Sequence, residues 1–197
     1  MKTLIYAHPY DGSLNHAILN RLRDQFDSQN EAYQIIDLYA DHFNPAYTKE
    51  ELRLFSRGES VDPLVKKYQE MILASDELIF IFPIWWFYLP AIVKGFLDKV
   101  MLKNFAYEEP WRGLLANIQR TTVISTATVT KDYLTTEAGD PIQGVLINRV
   151  FADLGIDPKT TRWIHLGEAN VTTDAVRNKF LRELPELYAG KDSTDEK

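Results

Sequence analysis

The sequence predicts a doubly wound α/β domain, with a five-stranded parallel sheet in the order 2-1-3-4-5 and helices on both faces. Three observations predict it. Five short apolar runs are separated by stretches of helical periodicity. The runs are continuously apolar instead of alternating, as strands are when both sheet faces are covered. Two unusual loops, HPYDGSLN (residues 8–15) and PIWWFYLP (residues 83–90), follow the first and third runs, and this strand order makes them neighbours beyond the strand ends.

The first strand is LIYA, Leu4 to Ala7. From Ser13 the pattern turns helical, with Leu14, Ala17, Ile18, Leu22 and Phe26 on one face. Tyr33 to Leu38 returns to strand character, and two helical stretches follow, at Lys49 to Ser56 and Pro63 to Ala74. Glu77 to Phe82 (ELIFIF) is the strongest strand. Pro90 then opens a helix with Ile92, Val93, Phe96, Leu97, Val100 and Met101 in one stripe, because Pro in the first turn sacrifices no useful N–H. TTVISTA, from Thr121, is the fourth strand. Pro141 to Leu154 reads as helix, TTRWIHL from Thr160 as the fifth strand, and Thr172 to Leu187 as a closing helix. The domain is expected to span residues 1–188, with residues 189–197 a polar, disordered tail.

Composition narrows the function. The 197 residues carry a net charge of −6 with scattered Lys and Arg, which argues against a nucleic-acid partner. With no cysteine there is neither disulfide nor thiolate metal site, and the four histidines show no paired ligand spacing. The longest uncharged run, Leu78 to Val93, has 16 residues and two prolines, too short and too broken to span a bilayer. The N-terminus has no signal-peptide pattern, so a cytoplasmic protein without membrane insertion is expected.

In HPYDGSLN, Ser13 is placed to cap a helix whose free N–H groups favour an anion, above all a phosphate. Asn15 adds a side-chain donor, and His8 a donor or a proton. An ordinary capped helix with a surface histidine is the alternative. No G-x-G-x-x-G or G-x-x-x-x-G-K-[ST] follows the strand, which argues against a Rossmann dinucleotide site and a P-loop. In PIWWFYLP, Trp85, Trp86 and Phe87 are flat side chains at a crevice, fit to border a planar ring. Core packing or a subunit interface is the alternative. Together the loops suggest a phosphate beside a planar heterocycle, as in flavin mononucleotide.

These residues carry a resemblance. H-P-x-x-x-S-x-N after the first strand, with F-P-I-W-W-F-x-x-P-A-I-x-K-G-F-x-D-K-V after the third, resembles the flavodoxin-like NAD(P)H:quinone oxidoreductases. That family includes DT-diaphorase-type enzymes, drug-activity modulators and ancillary flavoproteins of potassium-efflux systems. The resemblance implies that His8, Ser13, Leu14 and Asn15 hold the flavin phosphate and ribityl end. Pro83, Ile84, Trp85, Trp86 and Phe87 would border the isoalloxazine. It assigns the third flavin loop to Ser125, Thr126, Ala127 and Thr128, where the family usually reads T-T-G-G or T-T-G-A, so a glycine that permits close backbone approach is missing. Tyr133 stands where the family places a catalytic tyrosine near the flavin carbonyl, and Gly139 where some members have a relay histidine. His165 and Lys94 receive no role in the chemistry.

The implied reaction passes hydride from NAD(P)H to flavin N5 and then to a quinone or similar aromatic acceptor, by ping-pong kinetics. FMN is the expected cofactor and FAD the alternative. A homodimer with the site at its interface is expected, with Tyr107 and Trp111 as lid candidates. A regulatory subunit of a potassium-efflux transporter and a flavodoxin-type electron carrier are the competing readings.

Overall fold

The structure, a computed structural model, describes residues 1–190. Its main sheet consists of β1 (Lys2–Tyr6), β2 (Tyr33–Asp37), β3 (Glu77–Pro83), β6 (Arg120–Thr126) and β7 (Thr161–Leu166), all parallel, in the order β2-β1-β3-β6-β7. This is the expected 2-1-3-4-5 topology. β3 is buried at every residue, which explains its unbroken apolar run.

One sheet face is covered by α1 (Leu14–Ser28) and α6 (Asp174–Ala189), where Ile18, Leu22, Phe26 and Leu184 meet Leu4, Ile79, Ile81 and Ile124. The other is covered by α3 (Pro63–Leu73), α4 (Ala91–Val100) and a wide helix at Pro141–Phe151. Side chains alternate between faces along each strand, so Phe80 and Phe82 serve this second core while Ile79 and Ile81 serve the first.

Several local features differ from expectation. Pro90 is the N-cap of α4 instead of its first residue, and the helix at Lys49 is shorter, α2 (Lys49–Leu54), continued by a 3-10 turn at Phe55–Arg57. The Pro141 helix is a π-helix, in which the Val145 amide reaches back five residues to the Asp140 carbonyl (3.2 Å). Besides a 3-10 turn at Pro158–Thr160, two elements were not foreseen. One is a short antiparallel hairpin, β4 (Tyr107–Glu108) with β5 (Arg112–Gly113), and the other is α5 (Lys131–Thr136). α6 runs to Ala189 and ends on Gly190 at φ 89°, two residues beyond the predicted domain end. The rest of the expected tail, residues 191–197, lies outside the described residues.

Two buried ionic groups hold the frame. At the amino end of the sheet, the Glu77 carboxylate takes Lys2 (3.0 Å), Arg120 (2.7 Å) and the Tyr188 hydroxyl (2.5 Å). Beneath α4, Lys99 is 2% exposed, forms an ion pair with Glu51 (2.8 Å) and donates to Asp62 (3.2 Å) and the Asn44 carbonyl (2.8 Å). It ties the strap of residues 44–62 to the helix.

Candidate functional site

Both unusual loops emerge at the carboxyl end of the sheet, at the switch point between β1 and β3. Ser13 is the N-cap of α1, its Oγ accepting from the His16 amide (3.1 Å), and the first turn contains no acidic residue. The positive end of the helix is therefore left for an outside anion. His8 accepts the Tyr10 amide at Nδ1 (3.1 Å), which puts its ring proton on Nε2. Burial, with a smaller push from His16, holds its pKa below the usual histidine value, so it is a neutral donor at pH 7.

Asn15 behaves differently from expectation. It is 3% exposed, and its amide already donates to Thr126 Oγ1 (2.9 Å). Its Oδ1 is buried with no partner. What it offers the cleft is an acceptor, suited to a hydroxyl group and not to a phosphate oxygen.

In the second loop, Trp85 and Tyr88 exchange both backbone hydrogen bonds (3.1 Å each) and so enclose a two-residue turn of Trp86 and Phe87. Both turn residues have positive φ, 49° and 60°. Such a turn normally takes Asn-Gly, and side chains as large as these store about 1 kcal/mol of strain each. Trp86 is 93% exposed, with Trp85 and Phe87 less so. Backbone strain of this kind gathers at functional sites.

The third loop lies opposite. The Thr126 carbonyl accepts the Ile84 amide (2.7 Å), fastening it to the aromatic turn. Ala127 and Thr128 reach the cleft. The Ser125 side chain does not, being fully buried behind the strand between His165 and Trp163. Tyr133 begins α5 in the first turn, capped by Thr130, with its ring 5.9 Å from that of Phe87. It is partly exposed beside the aromatic turn, and Gly139 is open to space.

Two clefts result, and Trp85 lines both. One, of about 360 Å³, lies between Ile84, Trp85, Trp86 and Phe87 and the chain at Ala127–Val129. The other, of about 890 Å³, holds His8, Ser13, Leu14, Asn15, Pro83 and Thr126. Its far wall was missed in the sequence: Asn170 from the loop before α6, with Asp174 and Arg177 from the start of that helix. Arg177 donates to the Ala169 carbonyl (3.0 Å) and Asp174 (2.7 Å). The missed signal was topological, since a helix following a parallel strand begins at the same sheet end as α1.

A third cavity, about 430 Å³, lies apart and is walled by Tyr47, Phe55, Tyr88, Met101, Tyr107 and Trp111. Tyr107 and Trp111 stack on each other at 4.9 Å, and Trp111 is 71% exposed.

The adjoining clefts fit a phosphorylated, hydroxyl-bearing chain joined to a flat ring. The helix terminus suits the anion, the unpartnered Asn15 Oδ1 suits a hydroxyl, and the aromatic turn suits the ring.

Residues 1–186 match the family of flavodoxin-like fold. Among curated proteins, an NAD(P)H oxidoreductase of Haemophilus influenzae, itself uncharacterised, is 32% identical over 183 residues, which is 90% of this chain and 89% of that one. The quinone-type ribosyldihydronicotinamide dehydrogenase of Pongo abelii is 30% identical over 123 residues, 54% of this chain and 53% of its own length, so the match spans about half of that protein. Among solved structures, Smu.1420 from Streptococcus mutans has a TM-score of 0.80 at 28% identity, covering 96% of this chain and 100% of that chain.

Proposed function

Since the chain belongs to the flavodoxin-like fold family and has NAD(P)H oxidoreductases among its relatives, we propose that it is a flavin-dependent NAD(P)H:quinone oxidoreductase using FMN, with FAD the alternative. The observation that carries this reading is Trp85, a single ring forming a wall of both an anion-suited cleft and a flat aromatic slot. When bound, the flavin supplies the two-electron chemistry, taking a hydride from NAD(P)H and giving it to a quinone or similar acceptor.

The chain's own residues bind and orient. The α1 terminus with Ser13, Leu14 and the Nε2–H of His8 holds the phosphate, and Asn15 Oδ1 accepts from a ribityl hydroxyl. Pro83 and Ile84 support the aromatic turn behind the ring, while Trp85, Trp86 and Phe87 border it. Ala127 and Thr128 form the opposite edge. The Tyr133 ring lies 5.9 Å from that of Phe87, and its hydroxyl would donate a hydrogen bond to charge gathering at the flavin edge. No histidine stands at position 139 to relay its proton. The slot offers apolar faces and few fixed polar contacts, which suits acceptors of varied shape that replace the nicotinamide in turn.

Trp86 at 93% exposure and the stacked Tyr107–Trp111 pair are apolar surface of the kind a second copy of the chain covers, so the working form is a homodimer. Size by light scattering reads this directly.

The deciding experiment is the visible spectrum of the purified protein after loading with FMN or FAD and removal of the excess. Retained flavin that bleaches with NADH or NADPH and recovers with a quinone supports the assignment and names the cofactor. A protein that retains neither flavin overturns it.

A further inference from the structure

His165 ends β7, behind the slot, and contacts neither cleft. Burial favours the neutral ring, and for a neutral ring its hydrogen bonds have one consistent set of directions. Trp163 Nε1, a donor only, gives its proton to Ser125 Oγ (2.8 Å). The Ser125 hydroxyl then donates to His165 Nδ1 (2.8 Å), and the remaining ring proton, on Nε2, goes to the Val129 carbonyl (3.1 Å). The imidazole is thereby fixed as the neutral Nε2–H tautomer, with both nitrogens used.

Val129 lies in the segment that walls the slot. That segment is tied to β7 and the residues after it at three further points. The Ala127 amide donates to the Leu166 carbonyl (3.1 Å), the Ala169 amide to the Ala127 carbonyl (2.8 Å), and Lys131 Nζ to the Trp163 carbonyl (3.1 Å). Gly167 completes the contact, because a Cβ there would stand 2.7 Å from both Thr130 Cα and the Val129 carbonyl oxygen. Of these ties, the His165 bond is the one that reaches the segment through a side chain of β7.

We infer that His165 is a positioning residue: its imidazole, wedged between Ser125 and the Val129 carbonyl, sets the Ala127–Val129 wall against which the flavin ring is held. The wall is a property of the chain itself, and its effect on the ring rests on the flavin reading of the site.

The test compares H165F, which removes both bonds, with H165Q, whose amide can accept from Ser125 and donate to Val129. W163F removes the Ser125 partner while keeping an aromatic ring beneath the Lys131 ammonium and the Trp163 carbonyl that accepts from it. Amide hydrogen exchange at residues 127–131 is measured on flavin-free protein, and FMN affinity and the visible band of bound FMN on loaded protein. Loss of a buried hydrogen bond predicts exchange in H165F faster by roughly tenfold at 127–131, and FMN affinity weaker by roughly tenfold with a shifted band. H165Q should restore most of both, and W163F should leave the loop as in the wild type.

Unchanged loop exchange in H165F overturns the inference, as does equal loosening in W163F or failure of H165Q to restore anything. Loosening in H165F, restored in H165Q, in a protein that retains no flavin even as wild type would support the positioning of the loop and overturn the flavin reading instead.

Discussion

The two ends of the one sheet are built to opposite specifications. At the amino end, Glu77 is buried and its carboxylate accepts from Lys2, Arg120 and Tyr188, so charge and hydrogen bonding are matched. At the carboxyl end, Asn15 keeps an unpartnered oxygen, two aromatic residues sit at positive φ, and a tryptophan is almost wholly exposed. The same strands run through both, so the difference cannot come from the sheet. The Glu77 cluster is closed on itself and contributes stability, while the other end leaves the aromatic turn strained and Asn15 Oδ1 unmet, for a ligand to use.

The largest expected effect separates the ends outright. Glu77→Ala removes the common partner of two cations and a hydroxyl, and unfolding in denaturant should show a loss of about 3 kcal/mol. Flavin affinity of the folded fraction should stay unchanged. If affinity fell with stability, the two ends would not be independent.

Gly167→Ala acts on the open end, forcing Val129 and Thr130 outward. A cost of about 2 kcal/mol is expected together with lost flavin retention, read by gel filtration of the loaded protein.

Acid should expose the open end next. His8 and His165 both have pKa values below the ordinary one, His165 chiefly through burial and then through Lys131 nearby, against the opposing Val129 bond. A lowered folded-state value means the unfolded chain takes protons first. The stability these groups contribute is therefore complete above the unfolded pKa near 6.5 and is lost as pH falls toward the folded values, by at most about 1.4 kcal/mol per pH unit for each histidine. Denaturant midpoints between pH 7.5 and 5 should show this decline, and His165→Gln should flatten it.

Trp86→Gly should move in the other direction. Relief of the left-handed conformation is expected to stabilise the protein by about 1 kcal/mol while lowering kcat/KM with a quinone. A destabilised variant would mean that the turn holds no strain.

Ala127→Gly should do least. Ala127 is not among the residues with positive φ, so the missing family glycine leaves no conformational penalty here. A stability loss of about 0.5 kcal/mol and nearly wild-type flavin affinity are expected.

The strand order and the meeting of the two loops were legible because parallel strands must be apolar on both faces, and ELIFIF and TTVISTA say so directly. The Ser13 cap was legible because capping is local chemistry. What was not legible depends on the fold. WWF contains no glycine or asparagine to announce a mirror-image turn, and it adopts one because Ile84 and Tyr88 are fixed on either side by the sheet and by Trp85. The two-residue strands at Tyr107 and Arg112 are too short to leave a period. Asn15 could be placed at the site from sequence, but its donor was already committed to Thr126, 111 positions away. Arg177 at the cleft and His165 behind it were not legible because α6 and β7 carry them there.

The interior lysine beneath α4 has a consequence for how this chain can change. Lys99 is 2% exposed and Glu51 3%, and Asp62 shares the same ammonium group. Replacing the lysine alone would strand carboxylates in the interior, and replacing Glu51 alone would leave the ammonium under-matched. Positions 51, 62 and 99 are therefore free to drift only as a set, and sequences that diverge from this one should exchange all three together or none. The strap they secure carries Tyr47 and Phe55 into the apolar cavity beside Trp111, so its shape is inherited with that trio.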